Sequence, residues 1–249
     1  MKKSRIILMV SFILIGGICI SLNKCITEDA ILHVLYGEDP LPRKVNKEEI
    51  NKSCCLEKAA LHAEYQTEMN TVYDGSYIAI GYPGGDVGYN KGVCTDVVIR
   101  ALRSINIDLQ ELIHNDMKAN LNVYNKRYTT KVVDKNIDHR RTQNIQTYLT
   151  RIGANIKVPP YGYQYEMGDI LFWNIAAGHT GIVVDKVNED GDSHLVVHNI
   201  GGGAQYEDML NSWPPNEVYR LTPEMIKKMQ LNCSFKYDIN KDFMFYANK

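Results

Sequence analysis

The feature that most constrains this chain is a change of hydrophobic period near Pro159-Pro160. Before that point apolar residues recur at helical spacing; after it they fall into short strand-like blocks. A helix is predicted near 55–69 from Leu56, Ala59, Ala60 and Tyr65. A second begins at Thr95, with Val98, Leu102 and Ile105 on one face and Arg100 and Arg103 off it. DLQELIHNDMKANL presents Leu109, Leu112, Ile113 and Met117. TQNIQTYLTRIG has Thr142 as N-cap, Ile145, Leu149 and Ile152 as its stripe, and Gly153 as its stop. DILFWN, HTGIVVDKV and HLVVHN then read as strands, with NEDGDS as a connecting turn. Helices first and antiparallel strands afterwards specify an α+β domain, N-terminal helices packed on an antiparallel β-sheet.

The chain has 249 residues, enough for one well-buried domain plus appendages. Its 28 basic and 29 acidic residues leave a formal net charge of −1, which gives nucleic acid no basic field to follow. Lys2, Lys3 and Arg5 precede an uncharged apolar run from Ile6 to Leu22. Residues 1–25 are therefore expected to be a signal peptide or a membrane anchor, and the remainder to lie outside the cytoplasm. Residues 26–52, with EDPLPRKVNKEE, read as a charged stalk, and the domain is expected over 53–249. An oxidising exterior would permit disulfides among Cys25, Cys54, Cys55 and Cys233; of their three possible pairings, the one that joins the adjacent Cys54 and Cys55 is disfavoured by disulfide geometry.

Chemistry is suggested by GVCTDVVIRALRS. Cys94 follows a loop rich in Gly, Asp and Tyr and stands at the head of a helix, where backbone N–H groups and the dipole are expected to lower a thiol's pKa. His179, after Gly178 at the start of a strand, is the candidate base, and His198 at the end of the next strand is the candidate third group. Strand alternation leaves a difficulty. A turn centred on Asp190-Gly191 slips His179 and His198 by about four residues, ~13 Å, unless a bulge intervenes. Asn199 is then the alternative third member.

YPGG at 82–85, Cys94 heading its helix, GDILFW at 168–173, GHTGIVV at 178–184 and VHN at 197–199 occur in the order seen in the NlpC/P60 superfamily of papain-like cysteine peptidases. More specifically, YDGSYIAIGYPGGDVGYNKGVCTDVVIRALRSINIDLQELIHNDM and NIDHRR resemble the DUF1287 family, over roughly Leu56 to Arg220. The resemblance implies a papain-like NlpC/P60-type domain with a Cys-His-His triad: Cys94 as nucleophile, His179 as base and His198 as orienting residue. Tyr82 would bind substrate or the oxyanion, or else pack on the glycine turn. The sequence departs from NlpC/P60 enzymes around the nucleophile, where Val93 precedes Cys94, and Thr95 and Asp96 follow it. Asp96 either contributes to substrate binding or complements the helix dipole. His139 and Arg140 in NIDHRR either bind a substrate carboxylate or form a structural salt-bridge knot.

No HExxH or CxxC spacing supports a metal, and no cofactor is expected. The expected function is that of an exported cysteine hydrolase, a peptidase or amidase of the cell envelope acting on peptidoglycan stem peptides. The membrane partner is its N-terminal segment, and no nucleic acid is expected. A papain-like acyltransferase or lipid esterase, with a cleft built from Tyr161, Tyr163, Tyr165 and Trp173, and a non-catalytic cell-surface binding module are the alternatives.

Overall fold

A computed structural model describes residues 55–69, 72–124, 132–157, 163–175 and 177–238, all within the compact unit Pro42–Lys249. The leader 1–25, the stalk 26–52, Cys25, Cys54 and Tyr161 lie outside the described residues. Among the described residues no helix is long and apolar enough to cross a membrane.

The helices come first. They are α1 (Cys55–Gln66), α2 (Cys94–Arg103), α3 (Leu109–Tyr124) and α4 (Thr142–Arg151). A six-stranded antiparallel sheet follows, built from β3 (Asn155–Ile156), β4 (Ile170–Trp173), β5 (His179–Val187), β6 (His194–Asn199), β7 (Ala204–Glu207) and β8 (Glu217–Tyr219). Its strand order is β3-β8-β4-β5-β6-β7, and a last helix, α5 (Pro223–Leu231), completes the domain. The α+β class expected from the change of period is the one observed. A two-residue parallel ribbon, β1 (Val72–Tyr73) with β2 (Lys91–Gly92), was not expected.

Both faces of the sheet are buried. Ile170, Phe172, Ile182, Val184, Val197 and Tyr219 join the core formed with α1 and α2, while Leu171, Trp173, Val183, Val196 and Val218 pack with Met209 and Leu210 on the other side. Burial on both faces explains why ILFW and IVV are continuous apolar runs rather than alternating ones.

The β5–β6 hairpin resolves the register problem. Val187 faces His194, which centres the turn on Asp190-Gly191, as the turn residues predict. Between Val187 and Val183 the register shifts, so that Val183 faces Val196 and Gly181 faces His198. The bulge recovers half of the expected slip, leaving His179 two residues diagonal to His198. Gly181 makes that diagonal passable. A Cβ there would stand 2.7 Å from Val196 Cγ1 and 3.1 Å from His198 Cβ.

Arg100 and Arg103 leave the apolar face of α2 to hold the glycine-rich loop ahead of Cys94. Asp86 accepts from Arg100 Nε at 2.8 Å and from Nη2 at 2.6 Å, and Arg100 Nη2 also donates to the Gly88 and Lys91 carbonyls. Arg103 bonds Asp108 at 2.8 Å and the Gly85 carbonyl at 2.9 Å. Burial alone would raise the Asp86 pKa, but the charge and hydrogen bonds of Arg100, with help from Arg103, hold that carboxyl well below the usual carboxylate range.

Two local expectations are corrected. Thr142 is the first residue of α4 and not its cap; its hydroxyl donates instead to the Ala177 carbonyl at 3.1 Å. Helix α5 was not anticipated, although Thr222 accepts from Met225 N–H and Pro223 occupies the first turn, both readable start signals.

Candidate active site

Cys94 is the first residue of α2 and is 5 % exposed. Backbone N–H groups of Thr180, Thr95 and Cys94 itself surround its sulfur. Thr180 directly follows His179, so the thiol and the imidazole converge on the first two residues of β5. They arrive from different sides, because His179 pairs with Trp173 on the sheet face turned away from α2, whereas Thr180 lies on the helix face. The sulfur, against the Thr180 N–H, and the His179 ring thus lie at the same end of the sheet, on opposite faces.

His179 is held from three directions. Its Nε2 lies 2.8 Å from His198 Nδ1, with the two rings edge to face. Trp173 covers the ring at a centroid distance of 5.6 Å, and the Trp173 indole N–H is fixed by the Trp213 carbonyl at 2.8 Å. Behind it, Thr142 and Gln143 both donate to the Ala177 carbonyl, and Gly178 has φ +93°. A Cβ on Gly178 would approach Thr142 Oγ1 to 2.3 Å, so only glycine fits where α4 presses against the residue preceding the histidine. With Nε2 engaged by His198, Nδ1 is the ring nitrogen left to act as a base.

His198 reaches His179 and is fully buried. Asn199 does not occupy that place: its amide donates to the Gly92 carbonyl at 3.3 Å and its oxygen accepts from Gly201 N–H at 3.1 Å. It thereby ties the end of β6 to the residue two before Cys94.

The electrostatics differ from the expectation of an acidic thiol. Burial pushes the Cys94 thiol up to about 11 and outweighs the surrounding N–H groups, with nearby Asp96 adding to the rise. Burial, followed by the neighbouring His198, lowers His179 to about 4. Each group is thus neutral when it titrates alone.

The residues expected to bind substrate are distributed differently. Arg140 makes a two-pronged pair with Asp96, Nε to Oδ1 at 2.9 Å and Nη2 to Oδ2 at 2.9 Å, and both side chains are buried. Asp96 also accepts from Val93 N–H at 2.7 Å, and the Thr95 hydroxyl donates to the Arg140 carbonyl at 3.1 Å. The fork of Arg140 is filled by the chain's own carboxylate, and the pair clamps the first turn of α2, the structural reading of NIDHRR. His139 is 2 % exposed, and burial, then the charges of Arg103 and Arg140, keep it neutral. It is a core residue, not a surface for substrate. Tyr82 packs edge to face on His114 and lies under Lys135, with its hydroxyl 3.4 Å from Asn115.

Another tyrosine near Cys94 is Tyr73, a residue of β1 that faces Gly92 across the ribbon; burial, then the neighbouring Cys94 and Asp96, raises the pKa of its hydroxyl. Sequence reasoning missed it because a two-residue strand has no readable period. Its signal was the turn sequence YDGS, in which Asp74 accepts from Ser76 N–H and the Asp74 carbonyl accepts from Arg140. The described cysteines Cys55, Cys94 and Cys233 are free, and Cys233 takes the Asp108 N–H at 3.3 Å.

Among the described residues, two surface clefts are lined by neither Cys94 nor His179. One of about 570 Å³ is lined by Tyr77, His114, Asp134, Lys135, Asn136 and Asp138, among others, and one of about 430 Å³ by Tyr163, Tyr165, Glu166, Asp192, Ser193 and His194, among others. The first borders the loop that carries Arg140, and burial raises its Asp138 to about 6.

The chain resembles the uncharacterized protein YijF of Escherichia coli (strain K12), 44 % identical over 160 residues that cover 64 % of this chain and 78 % of that protein. No solved structure matches. A family model, the domain of unknown function DUF1287, matches residues 60–221, a span that holds Cys94, His179, His198 and every strand of the sheet. The chain belongs to the DUF1287 family.

Proposed function

We propose that this chain is an exported cysteine hydrolase with a papain-like, NlpC/P60-type domain that cleaves an amide bond in peptidoglycan stem peptides. The observation that carries the reading is the line from the Cys94 sulfur, through the Thr180 N–H that meets it, to His179 and its 2.8 Å contact with His198. His179 Nδ1 takes the thiol proton as sulfur attacks the carbonyl carbon. N–H groups of the kind gathered on the sulfur, at the head of α2 and at Thr180, receive the developing oxyanion. His179 then returns the proton to the leaving amine, which departs as the C–N bond breaks and leaves a thioester on Cys94. Water, deprotonated by the same nitrogen, releases the acid and regenerates the thiol.

The N-terminal apolar segment and charged stalk would place this domain at the cell envelope, within reach of the wall. Peptide is favoured over lipid ester because the aromatic residues that a lipid-ester cleft would need do not line one cleft: Trp173 is buried against His179, while Tyr163 and Tyr165 line a separate cleft with Glu166 and Asp192. The test is incubation of the purified full-length chain with purified muropeptides, with products resolved by mass spectrometry. One water should be added across one stem-peptide amide by the native chain and none by Cys94→Ala. Equal cleavage by both would end the proposal.

A further inference from the structure

We propose that Glu207, on the edge strand β7, is a positioning residue that sets the tautomers of both imidazoles and so leaves His179 Nδ1 bare as the base. Its consequence for turnover rests on the hydrolase reading above; its effect on the rings does not.

The geometry begins at His198 Nε2. That nitrogen is buried and has no hydrogen-bond partner of good geometry, and the group placed against it is Glu207 Oε2, at 3.1 Å. Three strands supply the three groups on one diagonal. Gly181 faces His198 and His198 faces Gln205, so His179 and Glu207 each lie two residues further along, on the same face and in opposite directions. Gln205 Nε2 donates to Glu207 Oε1 at 2.7 Å and turns the second oxygen towards the histidine.

A carboxylate only accepts hydrogen bonds. The proton of a neutral His198 facing it must therefore sit on Nε2, which leaves Nδ1 as an acceptor. The atom 2.8 Å from that acceptor is His179 Nε2, which must then carry the His179 proton. The remaining lone pair falls on His179 Nδ1. One exposed-edge carboxylate thus fixes two buried rings, and both are neutral near pH 7 because burial lowers their pKa values.

Glu207→Gln inverts the pattern. Gln205 claims the new amide oxygen, so an NH2 group faces His198 Nε2; donor against donor drives the His198 proton to Nδ1 and the His179 proton to its own Nδ1. Glu207 is 39 % exposed on an edge strand, so its substitution perturbs the core little. Gln205→Ala, which frees the carboxylate to turn away, is the second variant.

The measurement is 15N NMR of the histidine rings in the full-length chain, assigned with single histidine variants. In the native chain both rings should show protonated Nε2 and bare Nδ1. Glu207→Gln should move His198 and His179 towards protonated Nδ1, and Glu207→Asp should restore part of the native pattern. On muropeptides Glu207→Gln should lower kcat by about tenfold to a hundredfold with KM little changed, less than the loss known for an orienting carboxylate in direct contact with the base. Native tautomers in folded Glu207→Gln and Gln205→Ala would overturn the assignment. Tautomers that shift as expected without Cys94-dependent cleavage would instead uphold Glu207 and refute the hydrolase reading.

Discussion

Gly181→Ala tests whether the diagonal between β5 and β6 is built as described. The new methyl would stand 2.7 Å from Val196 Cγ1 and 3.1 Å from both His198 Cβ and the Val197 carbonyl oxygen. The first contact lies well inside ordinary carbon–carbon separation, and Val196 is fully buried between Val183 and its neighbours, so it has no empty space to turn into. Overpacking of this kind costs about 1–3 kcal/mol. Because His198 is the other neighbour, relief by movement of β6 also lengthens the 2.8 Å contact to His179. Urea unfolding followed through Trp173 and Trp213 fluorescence should therefore show a stability loss of about 1–3 kcal/mol. Turnover by the fraction still folded should fall as well. Val196→Ala in the same chain should recover part of the Gly181→Ala penalty in a double-mutant cycle, since it removes the closest contact. A Gly181→Ala chain with native stability and native activity would refute the register argument.

Removing one side of the buried loop network should be more costly. Asp86→Asn leaves Arg100 and Arg103 without their shared carboxylate and should cost about 3–5 kcal/mol in urea unfolding. The depressed Asp86 pKa predicts a pH signature: its contribution is present above about pH 4, the unfolded carboxylate value, and is lost as the pH falls below it. His179 acts at a different pH. Its folded pKa of about 4 lies below the ordinary 6.5, so between these values the unfolded chain binds a proton that the folded chain refuses. Stability should fall on acidification through that window by about 3 kcal/mol, and His179→Asn should flatten this part of the profile.

Much of the framework was legible because it rests on long periodic segments. The stripe Val98, Leu102 and Ile105, the apolar strand blocks and the Asp190-Gly191 turn all lie where their patterns indicated. Short elements were not legible: β1, β3, β7 and β8 have two to four residues each and owe their existence to neighbouring strands. Glu207 was missed for that reason, since AQYE has no pattern until β6 aligns it. For Arg140 the salt-bridge reading was legible, but its partner was not, and neither were the partners of Arg100 and Arg103. A charged side chain off an apolar face ordinarily meets water, and only the folded loop shows that Asp86, Asp108 and Asp96 await them. The thiol's chemistry was half legible: the helix N-terminus was visible in the sequence, whereas the burial that outweighs it was not.

The most direct test of the central claim, that Cys94 and His179 act as one nucleophile–base unit, compares Cys94→Ala, His179→Ala and the double variant on the muropeptide that the native chain cleaves fastest. Groups that act together lose their effect together. Each single variant and the double should fall by about the same factor, on the order of 10³ or more, with unfolding curves confirming that all three chains are folded. Full activity in His179→Ala, or a double variant whose loss is the product of the two single losses, would contradict the account.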